Sequence, residues 1–447
     1  MDPAQAALLV VTLAAIVGLI ILVAYFKINA FIALILASLF VAICSGKPLL
    51  ASARAFQDGV GTTLGFIAVV VGLGTMLGKL LAESGGAEVI AARFIQLFGQ
   101  KHLAWALVFV AFIVGLPVFF GVGLVLLVPI LFTLARETRL PLLYLGIPVV
   151  AGLSASHGLV PPHPGPVAAI AVLDANIGKT ILYSLIVGVP AAILAGPLFG
   201  AFISRRVSAE IGGIGAQLTA PADRKRCPAF GVALLTILLP VVLMLLATVA
   251  DLTLPAENFW RRWADFLGTP LVAMLAAVVL SLFTFGYGCG FSRAQVQKFT
   301  EDCVGPAASI MLVVGAGGGF SKVLQVVGAA DAISAGVKSI GVSPLLFAWL
   351  LAAAVRVAVG SATVSISLSA ALIAPIAAAN PHLSRELLVI AMGAGSLILS
   401  HLNDGGFWFV KEYLNMSVAQ TLKTWTVLET IISVSALAVV LILDFII

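Results

Sequence analysis

The sequence predicts an all-α polytopic membrane protein made of two repeats of inverted topology, with re-entrant hairpins and broken transmembrane helices. Three observations carry that expectation. Only 10% of the 447 residues are charged and 62% are hydrophobic, whereas about a quarter of a soluble domain's residues carry charge. The mean hydropathy of +1.19 is spread along the chain rather than confined to one anchor, so the body of the protein has lipid as its solvent. The apolar stretches also fall into two matching sets, one on each side of a single basic loop.

The first set runs at residues 6–26, 28–45, 59–82, 103–135, 141–160 and 179–203, each long enough to enter or cross a hydrocarbon core. No basic segment precedes the first run, and its length suits a retained spanning helix better than a cleaved signal. A polar stretch at 204–228 follows, with Arg205, Arg206, Arg224, Lys225 and Arg226 among Gly, Ser, Ala and Pro. It reads as a cytoplasmic linker between an N-terminal membrane repeat (1–203) and a C-terminal one (229–447). The second set runs at 229–250, 269–289, 304–328, 344–379, 385–402 and 424–446. Non-apolar residues keep the two sets in register: Gly72, Gly74, Lys79, Gly85 and Glu88 match Gly315, Gly317, Lys322, Gly328 and Asp331 at one constant offset. Ser156-His157 matches Ser400-His401 one residue further on. Asp2 and Asp444 are the charges nearest the two ends, so the basic linker places both ends outside. An odd number of crossings per half, and hence inverted halves, follows.

With six runs per half, at least one must be re-entrant or broken. The candidates are 103–135, interrupted at Gly115, Pro117, Gly121 and Gly123, and 344–379, interrupted at Gly360, Ser361, Thr363, Ser365 and Ser367. Unwound backbone survives in a bilayer only against a cavity or other protein, so paired breaks point to a binding site. Close helix packing through small residues is the plainer reading of any one of these glycines.

Ser156 to Pro166 (SHGLVPPHPGP) puts four prolines and two glycines in eleven residues, which forbids a continuous helix. Its imidazoles, His157 and His163, can hydrogen-bond a substrate, pair with a carboxylate or take up a proton; as a surface loop they would be incidental. In the second half, Ser400-His401-Leu402-Asn403-Asp404 sets an acid and an amide at the end of an apolar run. Asp404 is a candidate for proton exchange, or the cap of a short helix over 407–413. Arg356 either attracts an anion, reaches the headgroups or braces the broken helix, and Lys79 and Lys322 read as snorkelling lysines.

Several function classes lose their usual parts. The charge of +5 comes from scattered residues, without the basic stripe of a nucleic-acid binder. Cys44, Cys227, Cys289 and Cys303 lack CxxC spacing, which argues against a zinc site or a disulfide framework. The glycine clusters at 72–78 and 315–319 sit in apolar runs with no Walker lysine, and no GxSxG, HExxH or metal-binding carboxylate cluster occurs. No catalytic or metal-ligating residue is therefore assigned.

Together, SHGLVPPHPGP, Gly360-Ser-Ala-Thr-Val364 after Arg356, Ser400-His-Leu-Asn-Asp404 leading to Gly406-Phe-Trp408, Met76 to Gly86, and Lys411-Glu-Tyr413 resemble the gluconate:proton symporter family over essentially the whole chain. The resemblance implies uptake of a sugar acid or hydroxy monocarboxylate through an inner membrane, with gluconate leading and idonate, glycerate or D-serine as relatives' substrates. It implies a proton as coupling ion with no other cofactor, and a homodimer that moves a transport domain against a scaffold. The half-helix starts at Gly121 to Gly123 and at Gly360 to Thr363 would then face the carboxylate. Ser156, Ser361, Thr363 and Asn403 would take the polyol, and His157, His163 and Asp404 would couple the proton. A sodium-coupled carboxylate carrier on a similar scaffold is the nearest alternative; a membrane-embedded enzyme using His/Asp acid–base chemistry and a passive channel are more distant ones.

Overall fold

A computed structural model describes residues 3–210, 226–329, 342–380 and 382–447. The regular elements are helices throughout the described residues. Most of the 204–228 linker, including Arg224 and Lys225, lies outside them, as do Asp2 and Asp331.

The first half opens with α1 (Pro3–Ala24), α2 (Ala30–Cys44) and α3 (Leu49–Ser84). Thirty-six residues make α3 about 54 Å long at 1.5 Å per residue. It starts ten residues before the apolar run because its first turns carry Arg54, Gln57 and Asp58, exposed polar side chains compatible with an amphipathic start. Gly85, at φ 78°, ends it and starts α4 (Gly86–Phe98). The 103–135 run divides at Leu116–Phe119 into α5 (Leu103–Gly115) and α6 (Phe120–Thr138). Pro117, which lacks an N–H, stands in that gap. The next run ends as α7 (Leu142–Leu159), and α8 (Pro164–Leu173) begins with two prolines in its first turn, where their missing N–H groups cost nothing. A long helix, α9 (Ile177–Ile203), closes the half.

The second half contains α10 (Phe230–Thr253), α11 (Phe259–Gly268), α12 (Pro270–Cys289), α13 (Arg293–Asp302) and α14 (Val304–Val327). The 344–379 run divides as its partner does, into α15 (Pro344–Val359) and α16 (Ala362–Ala378). The hinge is Gly360, at φ 82°; a Cβ there would also lie 2.2 Å from the Asn403 carbonyl oxygen. After α17 (Arg385–Gly395) the chain leaves helical geometry until α18 (Gly405–Tyr413), so the apolar run to residue 402 contains a non-helical passage that hydropathy does not mark. Last is α19 (Val418–Ile446).

Among the described residues, eight helices are long and apolar enough to cross a membrane, and the half-helices α5, α15 and α16 are apolar but shorter. Exposed aliphatic side chains such as Val10, Val17, Leu235, Leu246 and Leu252 cover the outer faces, the expected pattern when the solvent is hydrocarbon. Helix α11 differs: Trp260 and Trp263 are exposed while Arg261 pairs with Asp251 and Asp265, the mixture of an interfacial helix. Inside, the two halves interleave. α14 packs along α3 and α2, and α8 against α16. The α3–α14 contact is set by glycine: a Cβ on Gly59 would lie 2.5 Å from the Gly318 carbonyl oxygen, and one on Gly315 2.8 Å from Leu64. Here the glycines of the 315–319 cluster are packing residues.

Candidate functional site

Both broken helices end at one cavity of about 370 Å³. Phe120 and Gly121 bring the start of α6 to it, Ser361, Ala362 and Thr363 the start of α16, and Asn403 to Gly406 the start of α18. Ser154 and His157 of α7 line it, as do Trp425 and Glu429 of α19 and Arg356 of α15. The first N–H groups of a helix have no intrahelical acceptor. Phe119 caps α6 with no side-chain bond. Ser361 caps α16 through a single long bond, Val364 N–H to Ser361 Oγ at 3.4 Å. Two helix N-termini thus turn unsatisfied donors and partial positive charge toward the same space, the arrangement that receives an anion.

Arg356 holds the second break in shape. It is 3% exposed, its Nη1 donates to the Gly360 carbonyl at 2.6 Å, and its Nη2 donates to Asp404. This is the bracing role, with an ion pair added; Nε lacks a partner. Asp404 is saturated with donors: Arg356, the Ser400 hydroxyl and the Gly406 N–H at 2.9 Å, which makes it the N-cap of α18. The Trp425 indole donates to Ser400 Oγ at 2.7 Å and fixes that hydroxyl in turn. Asn403 Nδ2 donates to the Val357 carbonyl at 2.8 Å, satisfying an end group of α15 while the residue borders the cavity.

The histidines form a pair with a defined proton order. His163 Nε2 lies 2.5 Å from the Gly115 carbonyl oxygen, which only an N–H can approach, so Nε2 carries the proton. A neutral His163 then has a bare Nδ1, and His157 Nδ1, 3.3 Å away, must donate to it. His157 is left with a bare Nε2, an acceptor, on the residue that borders the cavity.

Seven of the ten residues singled out in the sequence, Gly121, His157, Gly360, Ser361, Thr363, Asn403 and Asp404, share this cavity. Gly123, Ser156 and His163 stand outside its lining. A Cβ on Gly123 would lie 2.6 Å from Leu153, so that glycine admits the neighbouring helix. Ser156 is fully buried, its hydroxyl donating to the Leu153 carbonyl at 3.0 Å beside Gly115. His163 supports His157 from behind. Sequence reasoning missed Ser154, Trp425 and Glu429. Glu429 carried a readable signal, being an acid in the interior of an apolar run of bilayer length.

A bilayer-length bundle whose interrupted helices converge on a polar, donor-rich cavity defines a membrane carrier. The chain belongs to the GntP family of permeases, whose family model matches residues 7–446. It is 48% identical over 446 residues to a gluconate permease of Pseudomonas aeruginosa, covering 99% of this chain and 98% of that one. It is 41% identical to the Gnt-II system L-idonate transporter of Escherichia coli, covering 97% and 98%. Among solved structures, the antimetabolite efflux pump MtrF of Neisseria gonorrhoeae shares the fold, with a TM-score of 0.62 at 12% identity over 88% of this chain and 85% of that one. The protein is accordingly a multi-pass inner-membrane permease of the GntP family rather than an enzyme.

Proposed function

We propose that this permease imports gluconate or a closely related sugar acid by proton symport, alternating access to the cavity between the two membrane faces. The observation that carries the reading is the meeting of the α6 and α16 N-termini beside Arg356. A monocarboxylate fits that end of the cavity. Its hydroxyls fit the other polar groups: the Thr363 and Ser361 hydroxyls, the Asn403 amide and the bare His157 Nε2. A volume of about 370 Å³ lies within the range of small-ligand sites, about 300–1,000 Å³. Titratable groups line the same space as the anion, which supports coupling by a proton. The dimer and the movement of a transport domain against a scaffold complete the proposal by the same family likeness.

Uptake of radiolabelled gluconate, idonate, glycerate and D-serine into proteoliposomes tests it, with proton and sodium gradients imposed separately and a protonophore as control. Accumulation of a sugar acid under the proton gradient alone is expected. Accumulation that follows sodium and ignores the protonophore would replace the symport reading with the sodium-coupled one.

A further inference from the structure

Glu429 has no part in the site as the sequence displays it, yet it is one of two acids, with Asp404, that border the cavity. It sits within α19, 1% exposed, and borders the cavity. One carboxyl oxygen, Oε1, is buried with no hydrogen-bond partner. Ser154 of α7, Arg356 of α15 and Asp404 border the same cavity. The titratable or charged side chains among the lining residues are Arg356, Asp404, His157 and Glu429. Of the other charges on helices packed beside α19, Arg385 and Glu386 of α17 are spent on Asp174 and Asn176, Lys179 of α9 lies in that helix's first turn, and Lys411 of α18 pairs with Glu412; Lys423 stands on α19 itself, six residues before Glu429 and outside the cavity lining.

The charge count then decides the role. Arg356 is one cation, and Asp404 already engages it with two further donors in support. Glu429 has neither a cation of its own nor a donor for Oε1, and a bare carboxylate in such a place is expensive unless it is neutralised. With Glu429 ionised the cavity carries one net negative charge and repels an anion; with Glu429 protonated it is neutral and admits one.

We propose that Glu429 is the residue that carries the coupling proton. Its carboxylate takes one proton from the outer medium, the sugar-acid anion enters the neutralised cavity, and both leave on the inner side before the empty carboxylate returns. This rests on the proton-symport reading above.

The test is Glu429→Gln, which keeps the shape of the protonated group and removes its titration. In proteoliposomes, a gradient of one pH unit should drive about tenfold gluconate accumulation by the unaltered protein if one proton moves per anion. Glu429→Gln should give none, while exchange of internal for external gluconate at equal pH persists and loses its dependence on pH. Persistent exchange also shows that the variant is folded. If the unaltered protein ignores the proton gradient, the symport reading itself fails; if it responds and Glu429→Gln responds equally, the assignment to Glu429 fails. Should the variant not assemble, carbodiimide labelling of the unaltered protein read by peptide mass spectrometry serves instead. Glu429 should be modified more at pH 6 than at pH 8 and be protected by gluconate, and labelling indifferent to both would overturn the assignment.

Discussion

Replacing Gly360 by Ala perturbs the site in two separable ways. The first is backbone strain: at φ 82° an L-residue costs about 1–2 kcal/mol. The second is a collision, since the new Cβ would stand 2.2 Å from the Asn403 carbonyl oxygen where ordinary contact begins at 3.4 Å. Relief requires a retreat of roughly 1 Å by the Asn403 backbone, and a displacement of that size at positioned groups costs about 100-fold in rate. Asn403 is tied to Val357 and is followed by Asp404, so the retreat pulls on both the α15 end and the Arg356 ion pair. Gly328→Ala supplies the control, because Gly328 has φ 81° and nothing within 4 Å of an added Cβ. Both variants should lower the melting temperature of the detergent-solubilised protein by a similar strain contribution. Only Gly360→Ala should lose about 100-fold in uptake rate in proteoliposomes. Equal uptake by the two variants would refute the claim that the Gly360–Asn403 contact sets the site.

Three further outcomes are expected. Asp404→Asn keeps an acceptor for the Gly406 N–H but leaves Arg356 buried without its partner, so it should destabilise by about 3–5 kcal/mol in a thermal or denaturant melt; adding Arg356→Met should recover most of that loss, and no recovery would mean that the pair is not the cause. Ser361→Ala with Thr363→Ala should raise the KM for gluconate about 30-fold at unchanged protein yield, from two lost hydrogen bonds of about 1 kcal/mol each. His157→Phe should weaken gluconate about fivefold, from one lost acceptor. A series of deoxygluconates should then contain one member that the variant and the unaltered protein bind alike, and a uniform loss across the series would show that His157 reads no single hydroxyl.

Much of the architecture was legible because lipid imposes it. Runs of bilayer length mark the helices, and the two overlong runs divide at Leu116–Phe119 and Gly360, near the Gly and Pro residues that interrupt them. The end of α17 was hidden, because the passage at Ser396 to His401 is as apolar as the helix before it. Within the site, residue type could not separate Gly121 from Gly123: they lie two apart on one helix, and only the position of Leu153 shows which one packs and which one borders the cavity. For the same reason His157 and His163 look equivalent in sequence although one stands behind the other. Glu429 was overlooked for a different cause, since hydropathy averaged over α19 absorbs isolated charges. A search for isolated charges inside apolar runs would have found it beside Arg356.

The glycine contact between α3 and α14 limits how the protein can deform. At Gly59 the main chain of α3 meets the main chain of Gly318 and Gly319, while Thr63 and Phe56 of α3 press onto those same two glycines with no room for a Cβ between. A slip of one residue along that seam would drive a methyl or larger group into a carbonyl. The two helices must therefore travel as a single plank, and whatever sliding accompanies a transport cycle has to happen along seams lined with compliant side chains.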